Sequence, residues 1–171
     1  REDIAERVRV QRELEASDER LQQILNNSSA VIFARDAEDR FLFVNREWER
    51  VFRMTSADVV GRLDKEVRGE ARAASYRANN EQVLARNMTM VFEETLELDD
   101  GLHTYISIKF PLHDADGAAY GVCGIATDIT ERKRAQAELA RERELSFQRE
   151  KLAALGSLLA GVAHELNNPL S

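Results

Sequence analysis

From Glu131 to Asn168 the chain contains no proline, and Gly156 and Gly161 are its only weak helix formers. Asp128 can cap such a helix, and Glu131, three residues on, completes a capping-box pattern. Leu145, Leu152, Leu155, Leu159, Val162 and Leu166 then recur at steps of seven, three, four, three and four. That is heptad spacing, the seam of a helix that faces another helix. A helix of this length cannot bury its own stripe. The chain is therefore expected to carry one long C-terminal helix that pairs with a second copy, as a parallel homodimer.

Residues 1–27 are rich in Glu, Arg and Gln without Gly or Pro, which favours helix. Val10, Leu14, Leu21 and Ile24 follow alternating three- and four-residue spacing, with Ser17 at one seam position. A short coiled coil and an amphipathic helix lying on the next domain both fit this pattern.

Residues 28–130 change texture. "AVIFARD", "RFLFVN", "MTMVFEETLEL", "HTYISIKFPLHD" and "AAYGVCGIATDIT" are β-branched and aromatic runs, read as five strands. "DAEDR", "DDG" and "DADG" supply the turns. Between the second and third runs, "NREWERVFRM" predicts a short helix with Trp48, Val51 and Phe52 on its apolar side. "EARAASYRANNEQVLARN" predicts a longer one with Ala74, Ala78 and Leu84 on one side. The order is α+β: a five-stranded antiparallel sheet with helices on one face, flanked by an N-terminal helix and a long C-terminal coiled-coil helix. The coiled-coil linker is expected over 131–151.

Lys and Arg number 24 against 31 Asp and Glu, a net charge of −7, which argues against a nucleic-acid surface. The single cysteine, Cys123, fits a reducing cytosol. No apolar run reaches the roughly 20 residues of a membrane span. The opening "REDIAERVRV" has neither Met nor a signal core, so the chain reads as a cytoplasmic fragment; an upstream membrane anchor in the parent stays open.

"NREWERVFRMTSADVVGR" and "GVCGIATDITERKRAQAEL" resemble the PAS sensor family, with Asp128, Ile129 and Thr130 where PAS domains hand over to an outgoing helix. The resemblance implies a mixed α/β cup, often dimeric, with an interior ligand site. The flavin photoreceptors of that family carry Asn-Cys-Arg on the helical side, where this chain has "EARAASYRANN". Haem binders place a histidine on the long helix, whereas His103 and His113 border turns here and read as solvated. No cofactor is evident; a small organic ligand is the remaining candidate. Phe33, Phe43, Phe52, Phe92, Ile106, Ile108 and Val122 are the candidate pocket lining, Ile106, Ile108 and Phe110 sharing one face of their strand. These residues equally suit a dry, close-packed core.

"AALGSLLAGVAHELNNPLS" at residues 153–171 resembles the phosphoacceptor helix of sensor histidine kinases. By that resemblance His164 takes the γ-phosphoryl group of ATP, Glu165 orients the ring or accepts its proton, and Asn168 serves hydrolysis and relay. The residues make chemical sense alone. His164 lies two positions past Val162 and two before Leu166, off the seam, so solvent and partners reach it. An unperturbed imidazole is largely neutral and nucleophilic near neutral pH, and a carboxylate neighbour is the usual activating partner. Asn168 follows one helical turn on, and Pro169 can kink the helix there. A His-Glu-x-x-His zinc site would need a second histidine where Asn168 stands, so no metal is expected.

The resemblance implies a parent kinase using ATP and magnesium and relaying to a response regulator. Nothing in the sequence resembles the ATP-binding domain, so this piece is not expected to phosphorylate itself. The alternative is a PAS dimerisation or ligand-binding module without phosphotransfer.

From Asp128 to His164 an α-helix would span about 54 Å at ~1.5 Å per residue. Fields are screened beyond ~8 Å at physiological salt, so a signal must travel mechanically. Leu145 follows Leu139 by six residues rather than seven, with Glu142 and Ser146 where the first phase expects apolar groups. A bistable connector over 139–146 and a merely imperfect coil both explain this break.

Overall fold

The computed structural model describes residues 2–168 and falls into two units, divided after Ile129. The first holds α1 (Glu2–Asn26), β1 (Val31–Asp36), β2 (Phe41–Val44), α2 (Arg46–Phe52), α3 (Ser56–Val59), α4 (Asp64–Arg68), α5 (Glu70–Arg86), β3 (Met90–Leu98), β4 (Gly101–His113) and β5 (Ala119–Asp128). The second is α6 (Thr130–Leu166).

The five strands form one antiparallel sheet in the order β2-β1-β5-β4-β3. Turn chemistry sets the register. Asp36 Oδ1 accepts from the backbone N–H groups of Glu38 and Arg40 between β1 and β2. Asp114 Oδ1 does the same for Asp116 and Ala118 between β4 and β5. Gly101 opens β4 at φ 124°, a conformation that side-chain-bearing residues resist.

Asn45, fully buried, joins three elements. Its Oδ1 caps α2 through Trp48 N and accepts from Ile32 N, both at 3.0 Å, while Nδ2 donates to Leu25 O and Ala30 O. The last turn of α1 is thereby fixed to the sheet. Earlier in α1, Val10, Leu14 and Leu21 are exposed, as is Ile24 within the last turn.

Trp48 centres the core, its ring 5.3 Å from Phe41 and 4.6 Å from Phe52, beside Val31, Phe33, Val44, Val59, Tyr105 and Ala126. Two expectations reverse here. On α5 the buried residues are Ala73, Asn80 and Val83; Ala74 and Ala78 face outward. Alanines bury too little area to set a helix phase against larger neighbours. On β4 the buried set is Tyr105, Ser107 and Lys109, and the isoleucines expected to line the cup, Ile106 and Ile108, are 38% and 41% exposed. Alternation fixes which residues share a face, not which face is inside. Lys109 goes inside because Glu94 Oε1 meets its Nζ at 2.6 Å, with the Tyr76 and Phe92 rings each 5.4 Å away.

In α6 every described residue from Glu131 to Asn168 is exposed, including the seam residues Leu152, Leu155, Leu159, Val162 and Leu166. The helix begins at Thr130, and Asp128 closes β5 instead of standing directly before it.

Candidate functional site

The helix-covered face of the sheet carries a charged lattice. Arg35, 1% exposed, donates from one terminal nitrogen to Asp39 Oδ1 at 3.0 Å and to Asp64 Oδ2 at 2.9 Å. Arg68 grips Asp64 with two nitrogens at 2.5 and 2.6 Å. The Asp64–Arg68 spacing of four places both on one side of α4. Burial alone would raise the Asp64 pKa, but the hydrogen bonds and charges of Arg68 and Arg35 hold it below the ordinary carboxylate value. Burial likewise pushes the Lys109 ammonium down, against the pull of Glu94. Arg35 Nε, Asn80 Oδ1 and Ser107 Oγ are buried and find no hydrogen-bond partner among the described residues.

Two spaces adjoin this lattice. The inner one, about 30 Å³, is lined by Phe33, Trp48, Phe52, Leu96 and Ala126 among others. That is one water's worth of volume, so these side chains fill a core. An open cleft of about 720 Å³ lies between the α4–α5 side and the β3–β4 hairpin, with Phe52, Arg68, Arg72, Tyr76 and Asp100 in its wall. That volume is in the range of small-molecule sites.

Of the residues expected to line the cup, Phe33 and Phe52 reach the inner space, and Phe52 also reaches the cleft. Phe92 and Val122 sit on the same sheet face, through their register with Ser107 and Arg35. Phe43 pairs with Ala34, opposite to Phe33, and so belongs with Ile106 and Ile108 on the outer face.

His103 is not the solvated turn histidine expected. Its side chain is 16% exposed; Nδ1 lies 2.7 Å from Asp128 Oδ2 and Nε2 lies 3.0 Å from Asp100 Oδ1. His113, by contrast, is exposed, with Nε2 2.7 Å from Asn87 Oδ1. Among the described residues no group of three or more His, Cys, Asp or Glu is placed to hold a metal, and no helix is long and apolar enough to cross a membrane.

His164 and Glu165 occupy the last turn of α6, and Asn168 follows just beyond it, its N–H 3.4 Å from Glu165 O. All three are exposed. The kink expected at Pro169 lies outside the described residues.

A five-stranded antiparallel sheet with helices gathered over one face, a polar lattice beneath them and a long helix after the last strand define a PAS-type sensor fold. The profile described as PAS fold matches residues 25–134, and the chain belongs to that family. It is similar to the methanogenesis regulatory histidine kinase FilI of Methanothrix harundinacea, 33% identical over 135 residues, covering 78% of this chain and 15% of that protein. It also resembles the aerobic respiration control sensor protein ArcB of Escherichia coli, 29% identical over 152 residues, covering 88% of this chain and 18% of that one. The chain thus spans less than a fifth of either relative. The PAS domain of Bordetella pertussis BvgS superposes with a TM-score of 0.58 at 23% identity, over 75% of this chain and 98% of that structure, and shares the fold.

Proposed function

We propose that this chain is the sensory and phosphoacceptor portion of a two-component sensor histidine kinase. The PAS cup controls, through a parallel dimer of α6, the ATP-dependent phosphorylation of His164 and relay to a response-regulator aspartate. The observation that carries this reading is His164, exposed beside Glu165 in the last turn of α6 and off the apolar stripe of Leu155, Leu159, Val162 and Leu166. Histidine kinases among the relatives support it. Glu165 orients or deprotonates the imidazole, whose nitrogen forms the P–N bond as the P–O bond to ADP breaks. Asn168 assists hydrolysis and relay.

Incubating the chain with a histidine-kinase ATP-binding domain, magnesium and γ-labelled ATP tests the assignment. Acid-labile label is expected on the wild type and none on His164→Gln. Label that persists in the variant contradicts it and favours a PAS dimerisation module without phosphotransfer.

The open cleft is the part of the cup with room for a small organic ligand. Native mass spectrometry of the purified chain tests this: an adduct supports a ligand, and a clean apo mass favours a protein-contact or purely scaffolding role for the cup.

A further inference from the structure

Both ring nitrogens of His103 lie within hydrogen-bond distance of a carboxylate oxygen, Asp128 Oδ2 at 2.7 Å and Asp100 Oδ1 at 3.0 Å. A carboxylate only accepts, and a neutral imidazole has a single N–H to give. Both contacts are hydrogen bonds only if the ring carries two protons. Moving one of those protons to a carboxylate would place it on the weaker base of the two. The geometry is therefore that of an imidazolium held between two aspartates.

The position matters as much as the charge. Asp128 is the last residue of β5, and Tyr105↔Asp128 is the last rung of the β4–β5 ladder. The next residue, Ile129, donates its N–H to Thr104 O at 2.8 Å. The side-chain link from His103 and this backbone bond bracket the same point, where the chain leaves the sheet for α6.

We propose that His103 is a proton sensor at the exit of the PAS domain. As imidazolium it ties the β3–β4 turn, through Asp100, to the end of β5, through Asp128. On losing a proton it keeps one N–H. Its other nitrogen then turns a lone pair toward a carboxylate, and one of the two ties opens.

Besides its two aspartates, the charged groups lining the same cleft as His103 are Arg50, Arg53, Arg68, Arg72, Glu97 and Asp99. The residue opposite on β3 is Leu96, and on the same face of β4 the neighbour is Tyr105, whose hydroxyl burial pushes up to about 12. The arginines of the α2 side each have their own carboxylate: Arg50 with Glu47 and Arg53 with Asp99. The hydrogen bond to Asp128, and then that to Asp100, push the His103 pKa above 6.5 against the desolvation that lowers it. A raised folded pKa gives stabilisation that is complete below the unfolded value and lost as pH rises through the folded one. The latch is closed in mild acid and opens in base. This function goes beyond phosphotransfer and holds whether or not His164 is phosphorylated.

The test follows the ring protons of the three histidines by NMR from about pH 5 to about pH 9, with His103→Gln identifying the His103 signal. Amide exchange at Ile129 is measured over the same range. His103 is expected to titrate above 6.5, and Ile129 protection, corrected for intrinsic exchange, to fall about tenfold for each unit by which the pKa is raised. In His103→Gln the protection is expected to be flat with pH. Asp100→Asn, at an exposed turn, is expected to fold normally and to lower the His103 midpoint. A His103 midpoint at or below the free value, a midpoint that ignores Asp100→Asn, or the same pH slope at Ile129 without His103 would each overturn the proposal.

Discussion

Asp64 accepts two hydrogen bonds from Arg68, at 2.5 and 2.6 Å, with its own side chain wholly removed from solvent. A third charge-assisted bond, from Arg35 on β1, completes the carboxylate. The short helix α4 is thus tied to the sheet electrostatically, and Arg68 of that tie stands in the wall of the cleft.

Breaking a buried ion pair from one side leaves the other partner uncompensated. Asp64→Asn is expected to lower the unfolding free energy by about 3–5 kcal/mol, read from urea denaturation. The depressed Asp64 pKa also sets a sign. Its contribution is present above the unfolded carboxyl value of about 3.9 and is lost as pH falls through the lower folded value. Wild type should lose stability through that acid window more steeply than the variant; parallel curves would show that Asp64 carries no such linkage.

Lys109 and Glu94 are a second buried pair, 2.6 Å apart. Lys109→Met alone is expected to cost about 3 kcal/mol, because Glu94 loses its cation. Combining it with Glu94→Leu should recover much of that loss, since an apolar pair of similar volume avoids the desolvation of both charges. Additive losses in the double variant would mean that the two side chains act independently.

The seam of α6 changes phase between Leu139 and Leu145, and the helix runs unbroken through it. If 139–146 is a bistable connector, an insert of one whole heptad there should preserve signal-dependent labelling of His164, and half a heptad should alter it. Labelling indifferent to insert length would leave only an imperfect coil.

Much of this architecture was legible in the sequence because its signals are local. Turn residues such as Asp36, Asp114 and Gly101 announce hairpins, and the leucine spacing after Leu145 announces a seam. The inside of the cup was not legible, because burial of polar groups depends on partners far away in sequence. Nothing near Lys109 in the chain reveals Glu94, fifteen residues back, or the rings that surround its ammonium. Ile106 and Ile108 therefore looked like the buried side of β4. His103 was missed for the same reason: Asp128 meets it only once β4 and β5 pair. The local hints were the four-residue step from Asp64 to Arg68, a common helical ion-pair spacing, and Asp100 three residues before His103.

In the proposed dimer, two α6 helices pair along the leucine stripe and leave His164 outward. Disulfide trapping measures this directly, using single cysteines introduced by Leu159→Cys or His164→Cys in a Cys123→Ser background. Mild oxidation is expected to link Leu159→Cys into covalent dimers and to leave His164→Cys monomeric on a denaturing gel. Equal cross-linking at both positions, or linkage through position 164 alone, would contradict it.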